Sequence, residues 1–160
     1  MIGRWNPNDE VLNGPGAGAV AADKWYRDGL KFACTQCGNC CSGDPGYVWA
    51  SKDEIARIAA FLGRSDGWLD SEHLRRVGLH YSLTERADGD CIFLKRENGK
   101  AMCSIYPVRP LQCRTWPFWK ENLRSQGEWN ALAAQKCPGM NKGQHYDLVQ
   151  IEIQRTRRTW

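Results

Sequence analysis

No apolar run in this 160-residue chain approaches the roughly 20 residues that a membrane-spanning helix needs. The opening residues, Met1 to Asn8, are polar and lack the apolar stretch of a secretion signal. The chain therefore reads as a soluble, cytoplasmic protein with no membrane partner. Strong charge of one sign is also missing: 22 Lys and Arg face 18 Asp and Glu, a formal +4. That excess is too mild for a nucleic-acid surface. The three histidines, His73, His80 and His145, show no metal-ligand spacing to the cysteines. There is no glycine-rich phosphate loop, no Ser-His-Asp set and no paired carboxylates; Asp88-Gly89-Asp90 reads as a turn. The common hydrolytic and nucleotide-dependent chemistries thus have no foothold, and whether the chain is an enzyme is left open.

Cysteine, by contrast, is abundant, with eight residues in the chain. In a reducing compartment disulfides are disfavoured, and metal ligation is the better use for so many thiols. Cys34, Cys37, Cys40 and Cys41 form a C-x2-C-x2-C-C run. Two intervening residues let paired sulfurs turn toward one ion or cluster, and Gly38 supplies the backbone freedom such a knuckle needs. The triple spacing is similar to the run that holds one face of a [4Fe–4S] cluster, whose distant fourth cysteine precedes proline, as Cys137 precedes Pro138 here. The same spacing serves zinc. Cys40 and Cys41 are adjacent, and neighbouring residues do not easily aim both sulfurs at one tetrahedral centre. The pair points to two neighbouring centres or one larger cluster.

The second half of the set is Cys91, Cys103, Cys113 and Cys137. Asn98-Gly99 between two apolar runs predicts a hairpin. With a two-residue turn, Cys103 opposes Leu94 and Cys91 opposes Tyr106, on opposite faces. If both cysteines face one centre, a bulge is expected. Arg109 and Arg114 flank Cys113 and are candidate cofactor contacts, through hydrogen bonds to thiolates or sulfides. They could equally hold a substrate carboxylate or phosphate, or each form a structural pair with a nearby acid. With Lys31 and Lys136 they also supply counter-charge to thiolates.

Around these motifs the sequence predicts one α+β domain over residues 23–160, preceded by a flexible arm over 1–22. Residues 23–30 read as a helical turn or packed lead-in, 34–46 as loop and 47–49 as a short strand. Ser51 and Glu54 form a capping box, with Ile55, Ile58, Ala59 and Leu62 on one face and Gly63 as the stop. A weaker helix is expected over 65–77, a strand over 79–83 and a closing helix over 147–158.

The motifs Phe32-x-Cys34-x2-Cys37-Gly38-x-Cys40-Cys41 and Gly89-x-Cys91-Ile92-Phe93-Leu94 open a longer pattern. It continues through Cys103-x-Ile105-Tyr106-x2-Arg109-Pro110-x2-Cys113-Arg114-x2-Pro117 to Cys137-Pro138-Gly139. This order resembles the YkgJ family of cysteine-cluster proteins over about residues 25–140. The resemblance implies chelation of zinc or iron and assigns no reaction. Together, the residues favour an iron–sulfur protein, a [4Fe–4S] cluster foremost, with a redox or cluster-dependent role and an unidentified protein or redox partner. A structural zinc module that mediates protein interactions, or a metal carrier or sensor, is the alternative.

Overall fold

A computed structural model describes residues 23–43, 45–64 and 72–157. The expected arm over 1–22 lies outside them. Among the described residues, three small antiparallel sheets and four α-helices make an α+β fold. Strand β1 (Leu30–Phe32) pairs with β7 (Gln144–Tyr146), so the first and last strands of the described residues are neighbours. Strands β2 (Val48–Ala50), β4 (His80–Leu83) and β3 (Leu74–Val77) form the second sheet, with β4 central. Strands β5 (Leu94–Glu97) and β6 (Lys100–Cys103) form the third.

Helix α1 (Lys52–Phe61) begins at the expected capping box, with both reciprocal bonds present between Ser51 and Glu54. Ile58 and Ala59 are fully buried, and Gly63 takes a positive φ of 65° just past the last turn. The closing helix α4 (Leu148–Thr156) is capped in the same way by Asp147 and Gln150 and buries Ile151. Short helix α2 (Leu111–Arg114) follows a 3-10 turn at Tyr106–Val108. Helix α3 (Gln126–Gln135), capped by Ser125, was not foreseen. It buries only Trp129, so no apolar stripe announces it in the sequence.

The weaker helix expected over 65–77 is corrected in part. Residues 65–71 lie outside the described residues, but 74–77 are strand β3, turned back onto β4 through Gly78 and Leu79. Leu74 and Val77 fit a helix face or a strand equally well, and the pairing with β4 decides. Because β4 is flanked on both sides, Ser82 is fully buried. Its hydroxyl accepts from Val48 N and donates to Leu83 O.

Two cores result. An aromatic one joins Tyr26, Phe118, Trp129, Tyr146, Met140 and Cys137. The lead-in is tied to it by Trp25 Nε1 donating to Leu123 O at 2.9 Å. An aliphatic one joins Ala50, Ile58, Ala59, Leu83, Phe93 and Ile105, with Cys91 and Cys103 packed against it. The cysteine segments run between the two.

Candidate metal centre

The first cysteine run leaves β1 beside the Cys137 segment: Ala33 N donates to Gly139 O, and Asn39 Nδ2 to Lys136 O. Gln36 and Gly38 take positive φ values of 55° and 77°, which fold the run into a knuckle ending in a 3-10 turn over Asn39–Cys41. A Cβ on Gly38 would lie 2.6 Å from the Cβ of Ala101, so the knuckle can pack on β6 only with glycine there. Cys34 and Cys40 are exposed; Cys37 and Cys41 are half-buried.

The hairpin is regular. Leu94 opposes Cys103, and Asn98 and Gly99 take the positive φ values of a two-residue turn. The expected bulge is absent, and the reason lies upstream of it. Cys91 is not part of β5. It sits in a turn closed by Leu94 N donating to Cys91 O, and the Arg86 guanidinium donates to the carbonyls of Cys91, Ile92 and Leu94. Strand parity therefore stops at Leu94 and does not carry Cys91 to the far face. Cys91 N donates to Cys41 O at 2.7 Å, which seats this turn on the first run.

Cys113 rides on α2. The proline N-cap offers that helix no side-chain acceptor, and Glu54 fills the gap from α1. Its carboxylate accepts from Leu111 N at 2.6 Å and from Ser51 N at 2.8 Å, and Arg114 lies 4.0 Å away. On the other side Gln112 accepts from Trp49 N and donates to Tyr47 O, which fixes α2 against β2. Arg114 thus faces Glu54. Arg109 stacks over the Tyr106 ring at 3.6 Å and donates from Nε to Tyr106 O.

The electrostatics show which thiols feel one another's charge. Burial pushes Cys34 up, with Cys40 and Cys37 adding to the push and Arg109 opposing it. Burial likewise raises Cys91, and raises Cys103 to about 11, with Cys91 and Cys40 contributing. Cys113 is raised by burial and then by Cys91, Cys103 and Cys40. The Cys40 and Cys41 sulfurs are 3.7 Å apart and share a hydrogen bond. That bond lowers Cys40 and raises Cys41, and Arg109 and Lys136 favour the thiolate on Cys40. Seven thiols therefore lie in one charge-coupled group, with Arg109 as the cation shared by Cys34, Cys40, Cys103 and Cys113. Cys137 is buried in the aromatic core, next in sequence to Lys136.

All eight cysteines are free thiols. The adjacent sulfurs of Cys40 and Cys41 stand side by side, 3.7 Å apart. Thiolates on one tetrahedral zinc, with Zn–S about 2.3 Å, lie about 3.8 Å apart, so neighbours in a 3-10 turn can share an edge. Among the described residues no three Cys, His, Asp or Glu side chains are closed into a ready ion cage. The thiols are gathered without being converged. The donor set, soft sulfur with a cation beside it, fits zinc or iron–sulfur chemistry. Sequence reasoning missed Glu54, Gln112 and Arg86. Glu54 was accounted for by its capping box alone, and no local signal marks the other two.

A small α+β domain that collects free thiols around one guanidinium belongs among metal-binding cysteine domains. Residues 33–138 match the family model CxxCxxCC, described as "Putative zinc- or iron-chelating domain", and the chain belongs to that family. Over 93 residues it is 31% identical to an uncharacterized protein of Methanocaldococcus jannaschii, an overlap of 58% of this chain and 48% of that one. The chain spans about half the length of that relative. No solved structure matches. No helix among the described residues is long and apolar enough to cross a membrane.

Proposed function

We propose that the protein holds two adjoining four-thiolate centres, the outer one an iron–sulfur cluster with a redox or cluster-dependent role. Cys34, Cys37 and Cys40 are assigned to the outer centre, with Cys137 as the distal Cys-Pro ligand. Cys41, Cys91, Cys103 and Cys113 are assigned to the inner one. The observation that carries this reading is the charge coupling of seven thiols, more than a single zinc takes, four of which also feel the Arg109 guanidinium. A bound cluster supplies one-electron chemistry at the exposed end of the site. Arg109 offsets thiolate charge there, while Arg114 holds α2 through Glu54.

Anaerobically purified protein is expected to be brown, with broad absorption near about 400 nm and acid-labile sulfide. A colourless protein with stoichiometric zinc would overturn the iron–sulfur assignment. A structural zinc module is the second reading, and the inner set favours it because Cys91 and Cys103 pack on the aliphatic core. Mild chelation separates the cases: a structural site unfolds when stripped, whereas a carrier releases metal and stays folded.

A further inference from the structure

We propose that the exposed end of the thiol site docks an acidic electron-transfer protein through a rim formed by Lys31, Lys136 and Lys142. The surface rests on charge and geometry; the electron it passes rests on the iron–sulfur reading above.

Two segments frame the exposed thiols, residues 29–43 and 136–146. They are held side by side. Strand β1 pairs with β7, Ala33 N donates to Gly139 O at 3.0 Å, and Asn141 N donates to Lys31 O at 2.9 Å. Further along, Asn39 Nδ2 donates to Lys136 O at 2.9 Å. A Cβ on Gly139 or on Gly143 would collide with Ala33, so the segments touch backbone to backbone.

Lys31, Lys136 and Lys142 are exposed on this frame, as are Cys34 and Cys40. The Lys136 ammonium lies 3.8 Å from the place a Cβ on Gly43 would take, so it reaches across to the cysteine run. Neither segment contains Asp or Glu. Three of the chain's 22 Lys and Arg thus sit here with none of its 18 Asp and Glu, and the other 19 face those 18 elsewhere. Of the acids at the segment ends, Asp28 lies 3.8 Å from Arg27 and Asp147 caps α4, while Asp44 lies outside the described residues. The neighbouring hairpin differs. There Asp90 holds Arg96 through two bonds at 2.7 and 2.9 Å, and Lys100 opposes Glu97. The positive excess of the chain is therefore gathered where its thiols are exposed.

The chemistry of the rim specifies the partner. Lysine is a flexible, strongly hydrated point charge, suited to steering a partner that must leave again. Contacts that pass electrons are small and transient, and opposite charge raises their encounter rate. Three cations are too few to hold a nucleic-acid backbone. The partner is a protein with carboxylates around its own redox group. In the step, the reduced carrier loses one electron and the bound cluster gains it, with no bond made or broken.

The test uses the full-length, metal-loaded protein with flavodoxin hydroquinone, an acidic one-electron donor that is oxidised to its semiquinone. Stopped-flow absorbance reads the transfer. Each rate is taken relative to reduction by the photogenerated 5-deazariboflavin radical, a small neutral donor that needs no docking, so a change in the cluster itself cancels. The relative rate is expected to fall about tenfold between about 10 mM and 200 mM salt. Lys31→Glu combined with Lys142→Glu should lower it about tenfold at low salt. Carbodiimide, which joins a lysine amine to a carboxylate with loss of water, should link flavodoxin to Lys31, Lys136 or Lys142. A rate indifferent to salt, a double variant that reacts like the parent, or links on Lys95, Lys100 and Lys120 instead would overturn the docking surface. A protein that the radical cannot reduce, yet that links through the rim, keeps the surface and overturns the iron–sulfur reading.

Discussion

Cys34, Cys37 and Cys40 hang on a loop whose shape is set by two positive-φ residues, Gln36 and Gly38. Cys91, Cys103 and Cys113 are presented instead by the ends of regular elements: a turn pinned by Arg86, the last residue of β6, and a helix capped by Glu54. The first set is shaped by its own backbone, and two of its three thiols are exposed. The second is shaped by contacts distant in sequence, and Cys91 and Cys103 rest on a core. The difference teaches that losing an outer ligand should be a local event, whereas losing an inner one should be felt by the fold. On the proposed assignment, metal at the inner set would tie α2 to β6 and the Cys91 turn, which already rest together on the aliphatic core.

The strongest way to break that comparison is to remove one thiol from each set. Cys113→Ser is expected to lose metal and to destabilise the domain by about 3 kcal/mol or more, since metal-binding energy at such a site is folding energy. Cys34→Ser should also lose metal but cost less than about 1 kcal/mol, as exposed substitutions do. Metal analysis alongside thermal unfolding reads both effects. If Cys34→Ser melts as early as Cys113→Ser, the two sets are one structural unit.

Glu54 sharpens the same contrast without touching a ligand. Its carboxylate is 2% exposed and accepts from two backbone N–H groups, Ser51 N and Leu111 N, that head different helices. Glu54→Ala strands both donors, and the expected loss is about 2–4 kcal/mol by urea unfolding. Glu54→Gln keeps an acceptor oxygen and should recover part of that loss. The inner metal should become easier to chelate in Glu54→Ala, with the outer metal unaffected. Equal loosening of both would mean that α2 does not carry the inner set separately.

Glu54 also marks where the sequence ceases to be readable. Its bond to Ser51 is a three-residue pattern visible in the sequence; its bond to Leu111 spans 57 positions and has no local trace. Helices α1 and α4 were legible because each couples a cap to an apolar face, and the β5–β6 hairpin because Asn98-Gly99 tolerates positive φ. Helix α3 was hidden because it buries a single tryptophan, and β3 was read as helix because its apolar residues stand three apart. The first four cysteines were marked by their spacing, whereas the other four joined the set through the family resemblance rather than through spacing. Which of them meet was not legible, since the approach of Cys91 depends on Arg86 and that of Cys40 to Cys41 on a 3-10 turn.

A smaller effect is expected from Gly38. Gly38→Ala must hold φ near 77° with a Cβ 2.6 Å from Ala101, which is expected to cost about 1–2 kcal/mol. The outer metal should be lost preferentially, because the knuckle opens before β6 does. Retention of outer metal with loss of inner metal would invert the assignment of the two sets.

A further effect comes from a pair that includes no thiol, and it fixes the baseline for the others. Glu152 accepts from Tyr26 Oη at 2.6 Å and from Arg155. Partial burial pushes its carboxyl up, but the bonds from Arg155 and Tyr26, with the Arg155 charge, outweigh burial and hold it below its usual value of 4.5. A carboxylate lowered in the folded state contributes stability above its unfolded pKa, and that contribution fades as pH falls through the folded value. Glu152→Gln should therefore cost about 1 kcal/mol at pH 7, and the gap from the parent should close below about pH 4.5. Acid also strips metal from thiolates, but it does so in parent and variant alike, so the difference between their unfolding midpoints isolates the ion pair. A gap that stays constant down to pH 3 would show that Glu152 acts through packing on Tyr26 rather than through its charge.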